Sequence, residues 1–365
     1  MEERLKEKLK QEEKPIDDAK IKHALHGSIL TSIGPISIIA TELKVADKIC
    51  DIGARLGIGR NDYKILTGIY AIGSPNEKSP VLVTANYKLT VDKLRMELSG
   101  LDLWLLIIDT KGVNVWCAAG KGTFSTEEII YRMHKCKLKK LVNHNQIILP
   151  QLSAPGVSAY EITRITGFKV IYGPVYARDI KEFLKNNCQA TEKMRRVSFD
   201  LMDRIAVSPI ETISTAKYLL LIFVFFVLMQ LMVGNGGGIV RVLEYGFMNT
   251  LPYATALIIG TILFPILLPI LPFRMFSMKA LILGVIWSGI VIKYSDVFHY
   301  SSSIMTQAGN SLLLTSIISC LGMNFTGSTT FTSLSGVKKE TLLTVPVAGI
   351  AALTAVILMV IEIFK

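Results

Sequence analysis

Leu103-Trp104-Leu105-Leu106-Ile107-Ile108-Asp109, followed by Thr110-Lys111-Gly112, is the stretch from which the N-terminal half is read. An uninterrupted apolar run closed by a polar turn suits a strand in a parallel sheet covered on both faces. Upstream, residues 63–72 are β-rich and end at the turn Gly73-Ser74-Pro75-Asn76; residues 80–85 form a short apolar strand, and 90–98 carry a helical pattern. Downstream, Ser125-Thr126-Glu127-Glu128 is a helix start. Residues 146–149 and 169–172 read as further strands and 178–187 as a helix. Strands alternating with helices predict a doubly wound, Rossmann-like α/β layer. In such sheets ligands sit beyond the carboxyl ends of strands.

The composition divides the chain of 365 residues, half of them hydrophobic, into two unlike parts. Its mean hydropathy is +0.44, high for an ordinary soluble protein, and the apolar excess lies beyond about Lys217. There, stretches near 216–233, 251–272, 279–293, 303–321 and 342–364 approach the roughly 20 apolar residues that cross a bilayer. This predicts an all-α transmembrane domain of about five helices. Pro265, Pro269 and Pro272 predict a kink or break in the second. Arg195, Arg196, Arg204, Lys217, Arg274, Lys279, Lys338 and Lys339 fall on one side, against Arg241, Lys293 and Lys365 on the other. The basic side is the inner one, so the expectation is a multi-pass protein of the cell membrane with its N-terminal domain in the cytoplasm.

The net charge of +11 needs no nucleic acid to explain it, since Lys and Arg gather at cytoplasmic membrane borders. No basic helix with interleaved aromatics stands out, and nucleic acid is set aside as a partner. Residues 1–22 are a mixed-charge stretch without the apolar core of a secretory signal. The five cysteines, Cys50, Cys117, Cys136, Cys188 and Cys320, are far apart and never in a Cys-x-x-Cys pair. That spacing argues against a disulfide framework and against an iron–sulfur or zinc site built by this chain alone.

The stretch most informative about chemistry is 109–124, Asp109-Thr-Lys-Gly-Val-Asn-Val-Trp-Cys-Ala-Ala-Gly-Lys-Gly-Thr-Phe124. Ala118, Ala119, Gly120 and Gly122 leave room for something large and flat to approach the backbone. Cys117 stands where a helix would begin, a position that favours the thiolate, and a thiolate is a soft ligand for a transition metal. By residue type alone, a cysteine beside Trp116 is more often a packed core residue.

The octapeptide Asn114-Val115-Trp116-Cys117-Ala118-Ala119-Gly120-Lys121 resembles the cap-helix signature of the corrinoid protein family of microbial mercury methylation. Val81-Leu-Val-Thr84-Ala85-Asn86-Tyr87-Lys88, Leu149-Pro-Gln-Leu-Ser-Ala-Pro155-Gly156-Val157 and Asn324-Phe-Thr-Gly327-Ser-Thr-Thr-Phe-Thr-Ser333 resemble the same family. They are shared in part with the corrinoid subunits of the acetyl-CoA pathway. The resemblance runs from about residue 60 through the membrane part.

It implies a corrinoid (cobalamin-type) cofactor whose cobalt takes Cys117 as lower axial ligand, in a methyltransferase that passes a methyl group to Hg(II) to form methylmercury. Residues 114–121, with Gly122, Thr123, Thr84, Asn86, Thr110, Gly156 and Val157, would form the cofactor site. A methyl-folate-linked donor and a ferredoxin-like partner with two four-iron clusters are implied as well, and membrane lipid surrounds the C-terminal half. The usual B12-binding Asp-x-His-x-x-Gly is missing from the chain, which agrees with a thiolate in place of a histidine. On this reading residues 1–50 are a charged leader, 51–195 the corrinoid-binding domain, 196–215 a linker and 216–365 the transmembrane domain.

Two other functions stay open. One is a corrinoid methyl carrier of one-carbon metabolism in the acetyl-CoA pathway, with mercury irrelevant. The other, of a different class, is a membrane receptor or transporter with a nucleotide-like ligand domain; scarce polar residues in the spans weigh against transport. Gly53-x-x-x-Gly57-x-Gly59 reads as a plain turn because the Walker lysine is absent. His134-x-Cys136 and His23-x-x-His26 have metal-like spacing, but such pairs are usually helix-face or surface residues. Cys136 or Cys188 would suit handing Hg(II) to the site.

Overall fold

The computed structural model describes residues 24–233, 238–298, 303–328 and 334–364. The leader 1–22, His23, His299 and residues 329–333 of the fourth resemblance segment lie outside the described residues. The chain separates into two units, residues 1–54 with 58–198, and residues 199–365 with 55–57.

The first unit is built on a seven-stranded sheet in the order β1-β2-β3-β5-β4-β6-β7. Its strands are β1 (Leu25–Thr31), β2 (Gly34–Ile39), β3 (Gly68–Ile72), β4 (Val81–Ala85), β5 (Leu103–Ile108), β6 (Gln146–Leu149) and β7 (Lys169–Tyr172). Strands β5, β4, β6 and β7 are parallel, as the apolar run of β5 predicts. They lie in the order 2-1-3-4 of a doubly wound layer, with the winding reversing between β4 and β6. The all-parallel expectation fails at one edge, where β3 runs antiparallel to β5 and the β1–β2 hairpin extends the sheet. That hairpin lies in what the sequence suggests is a charged leader. Its strands are only partly buried, so they show no clean alternation.

Side chains of β5 alternate between two cores, as the pleat requires. Trp104, Leu106 and Ile108 pack with Ile129, Ile130 and Met133 of helix α4 (Thr126–Lys135) and Ile162 of α5 (Ala159–Thr166). Leu103, Leu105 and Ile107 pack with Val91 and Leu94 of α2 (Lys88–Glu97) and Phe183 of α6 (Ile180–Lys185). All six are essentially inaccessible, and burying each is worth roughly 1.5–3 kcal/mol. A third layer of contacts is ionic. Asp47 of α1 (Val45–Arg55) meets Lys88 and Arg95 of α2, and Asp92 meets the same two cations.

Next to this network, Tyr63 donates a hydrogen bond to Asp51 (2.8 Å). Burial, followed by that bond, raises the phenol well above its ordinary value of 10.0. The raised group contributes stability that is complete below the unfolded-state value and is lost as pH rises past it. Tyr63→Phe is therefore expected to flatten the alkaline loss of stability, read from unfolding midpoints of the chain between about pH 9 and 11.

The second unit holds five helices long and apolar enough to cross a membrane: Leu201–Val233, Gly238–Leu267, Phe276–Lys293, Ile304–Asn324 and Ser335–Glu362. Their number agrees with the sequence, but the first starts at Leu201, inside the stretch read as a linker at 196–215. Pro209 and three charged residues, Asp203, Arg204 and Glu211, mask its helical character. The break expected in the second span is a π-turn at Ile259–Leu263, immediately before Pro265. Polar side chains join the spans: Tyr253 donates to Asn310 Oδ1 (2.6 Å) and Trp287 Nε1 to the Pro252 carbonyl (2.9 Å).

Candidate functional site: an exposed cysteine on a capped short helix

Beyond the carboxyl ends of β4, β5 and β6 the chain forms one interlocked platform. Asn86, immediately after β4, is fully buried. Its side-chain oxygen accepts from the backbone N–H of Thr110 (3.0 Å) and of Gly112 (3.1 Å), and its amide donates to Asp109 Oδ1 (3.0 Å). Asp109 Oδ1 also accepts from the Lys111 N–H (2.8 Å). The Thr110 hydroxyl donates to the Val113 carbonyl (2.6 Å). Three successive hydrogen-bonding demands of a tight turn are thus met by one strand-end asparagine, which satisfies groups that would be costly to bury unpaired. From the other side, the Asp109 N–H donates to Glu128 Oε1 (3.1 Å), and Arg132 holds that carboxylate at 2.8 Å.

The turn delivers the chain into helix α3 (Val115–Lys121). Asn114 is its N-cap, the side chain accepting from the Cys117 N–H at 2.9 Å. Gly122, at φ +73°, closes the other end, its N–H reaching the carbonyls of Ala118 and Ala119. Val115, Ala118 and Ala119 face inward, while Trp116 (39% exposed), Cys117, Gly120 and Lys121 face outward. The structure therefore departs from the packed-core reading of this cysteine: Cys117 is exposed. A Cβ placed on Gly120 would meet nothing within 4 Å, so the surface one turn from the thiol is flat and open.

Beneath α3 lies the 3-10 turn Gln151–Gly156 that follows β6. Its Ser153 is fully buried, its hydroxyl donating to the Pro150 carbonyl (2.8 Å). A Cβ on Gly156 would stand 2.6 Å from the Phe124 carbonyl and 3.0 Å from the Ala119 backbone. Gly156→Val is thus expected to push α3 outward and destabilise the unit by about 1–3 kcal/mol. A urea unfolding curve followed by tryptophan fluorescence checks it; an unchanged midpoint would mean that α3 has slack.

The residues expected at the site from sequence fall into two sets. Asn114, Trp116, Cys117, Gly120, Lys121, Gly122 and Thr123 lie on or at the ends of the accessible side of α3. Val115, Ala118, Ala119, Thr84, Asn86, Thr110, Gly156 and Val157 are buried or packed behind it. Sequence reading passed over Asp109, Glu128 and Arg132, which position the turn. The four-residue spacing of Glu128 and Arg132 on α4 was the available signal.

Among the described residues no three of His, Cys, Asp or Glu come together as a metal site. A metal held at Cys117 would need its remaining ligands from the group that carries it. His134 and Cys136 belong to the last turn of α4 and its end, with no third ligand. Cys188 is half-buried, and burial pushes its thiol up from its ordinary value. It lines a groove with Pro80, Lys169 and Leu184 at the amino ends of β6 and β7, the sheet end away from Cys117.

Comparison with known proteins places this architecture among relatives. Residues 60–184, from before β3 to α6, match the CO dehydrogenase/acetyl-CoA synthase delta subunit family. Subunit gamma of the acetyl-CoA decarbonylase/synthase complex of Archaeoglobus fulgidus is 31% identical over 130 residues, 35% of this chain and 27% of that protein. The counterpart in Methanosarcina acetivorans is 38% identical over 99 residues, 26% of this chain and 21% of that one. The corrinoid/iron-sulfur protein large subunit of Moorella thermoacetica is 36% identical over 118 residues, 32% of this chain and 26% of that one. The chain spans about a quarter of the length of the curated relatives it matches. Residues 60–184 are thereby related to corrinoid subunits of the acetyl-CoA pathway.

Proposed function

We propose that the sheet unit binds a corrinoid against the exposed face of α3, with Cys117 as the residue that would hold its cobalt, and that the chain is a corrinoid-dependent methyltransferase. The observation that carries this is an exposed thiol on a short, doubly capped helix beside an open glycine. The residues suit the group. A single soft sulfur donor would suit a transition metal that brings its other ligands with it, Gly120 leaves its approach clear, and the turn under α3 is held by hydrogen bonds from Asn86. When bound, the corrinoid supplies a metal that accepts a methyl group and gives it up to an acceptor.

The chain's own residues do the rest. Asn114 fixes the start of α3 and so the placing of the Cys117 sulfur. Asn86, Thr110 and Gly156 hold α3 from behind, as the second layer around a metal site does. Lys121 puts a cation on the accessible face, suited to an anionic arm of the cofactor. The five cysteines are scattered, and as the partner that would supply electrons we propose a ferredoxin-like protein with two four-iron clusters. A methyl-folate-linked protein is the proposed donor.

For the acceptor we propose Hg(II), at the cytoplasmic face of the cell membrane. The octapeptide 114–121 supports this through its resemblance to the mercury-methylation family, and a thiolate at Cys117 donates electron density that favours delivery to an electrophile. The second reading is methyl carriage in acetyl-CoA-pathway metabolism. It is favoured by the names of the relatives that match residues 60–184, which support it more directly than they support mercury.

The test uses the purified full chain reconstituted with methylcobalamin and then given Hg(II) chloride. Bound corrinoid absorbance and methylmercury formation are expected. Bound corrinoid that transfers no methyl to Hg(II) would favour the second reading. Absence of any bound corrinoid would overturn both and bring forward a membrane receptor.

A further inference from the structure

Helix α1 is amphipathic in the inverse sense. Its inward face carries Ala54, packed with Tyr63 and Tyr87, and two aspartates: Asp47 is 1% exposed and ion-paired to Lys88 and Arg95 at 2.8 Å each, and Asp51 accepts from Tyr63. Its outward face is aliphatic. Val45, Ile49 and Ile52 are 72%, 63% and 57% exposed, and their spacing of four and three places them on one stripe. Contiguous exposed aliphatic side chains on an otherwise well-packed unit mark a surface made to be covered. Lys44 and Lys48 are exposed beside the stripe, whereas both aspartates of the helix are committed inward.

We propose that this face of α1 docks on the anionic headgroup layer of a lipid bilayer. A short helix with an aliphatic stripe and a cationic border is suited to lie in the plane of a membrane interface. Its lysines complement acidic lipid. The same chain carries five helices long and apolar enough to cross a membrane, which brings a bilayer within its reach. A second copy of α1 fits less well, because pairing the stripes would set the Lys44 and Lys48 borders against each other. Docking would seat the sheet unit on the membrane independently of what it binds at Cys117.

Cys50, exposed on α1 next to Ile49, is a natural reporter. The full chain carrying Cys117→Ser is labelled at Cys50 with a small environment-sensitive fluorophore and placed in nanodiscs containing brominated lipid. Cys50→Ser in the same background gives the signal from the half-buried cysteines, to be subtracted. Quenching is expected in discs with phosphatidylglycerol, weaker quenching in phosphatidylcholine alone or at high salt, and loss of quenching in the Ile49→Asp/Ile52→Asp variant. Both isoleucines are exposed, so that variant keeps its fold, which circular dichroism verifies. An unquenched probe in acidic discs, equal quenching in the double variant, or shielding of Cys50 only by an added iron–sulfur protein would each overturn the proposal.

Discussion

Cys117→Ala is expected to lower methyl transfer to Hg(II) by more than about 100-fold, beyond what loss of a merely supporting group around a metal site costs. The sulfur-to-cobalt absorption feature should vanish with it. The fold should not respond. Cys117 is exposed, so its removal opens no cavity, and the N-cap bond from Asn114 goes to the backbone N–H of residue 117, which alanine keeps. Near-identical circular dichroism and unfolding midpoints would therefore separate a ligand role from a structural one. Cys117→His is expected to keep binding with reduced transfer, because imidazole donates less electron density than a thiolate. Full transfer by the alanine variant would sink the axial-thiolate proposal while leaving corrinoid binding to be judged from the spectrum. The reading of Hg(II) as acceptor is separable again. If the wild-type chain binds the corrinoid and Cys117→Ala alters its spectrum, but neither methylates Hg(II), the ligand stands and the acceptor falls.

What the sequence displays and what it conceals have physical causes. The run at β5 is legible because burial on both faces allows only apolar residues, and Ser125 is legible as a cap because Glu128 follows three residues later, its N–H donating to the serine at 3.2 Å. The stretch 109–124 shows its small residues and its cysteine, so the business end of the platform could be read directly. Asn86 could be picked out only by resemblance, since its work depends on two backbone N–H groups brought to it by a turn 24 to 26 residues away. The β1–β2 hairpin stays hidden for a different reason: an edge hairpin that buries only Ile36 and Ile39, one in each core, has no strict alternation to display. Helix α1 lies in the stretch read as a leader, and its pattern could not have oriented it, because the stripe Val45, Ile49 and Ile52 faces outward. The start of the first helix long and apolar enough to cross a membrane is blurred by charges in its opening turns.

The inversion of α1 rests on the buried charges, and Asp47→Ala is expected to be the most destabilising single change in the sheet unit. Asp47 accepts from Lys88 Nζ and from Arg95, both 2.8 Å away, and Arg95 in turn donates to the carbonyl of Glu42 at 2.8 Å and to that of Ala40. All four charged side chains, Asp47, Lys88, Asp92 and Arg95, are at most 3% exposed. Two carboxylates balance two cations; removing one leaves a net positive charge in a site water cannot reach. Losing one partner of a buried ionic group costs about 3–5 kcal/mol, a large share of the roughly 5–15 kcal/mol that holds a domain folded. Because the network is the main polar tie between α1 and α2, the loss should also release the chain from Ala40 to Arg55. Urea unfolding followed through Trp104 and Trp116 measures the first effect, and faster amide hydrogen exchange across α1 measures the second. Asp47→Asn, which keeps an acceptor without the charge, is expected to fall between alanine and wild type. A double change to apolar residues, Asp47→Leu with Lys88→Met, removes one charge of each sign and should cost less than Asp47→Ala alone. If Asp47→Ala instead shifts stability by under about 1 kcal/mol, the value of an exposed pair, water reaches these groups and α1 is held by something other than its charges.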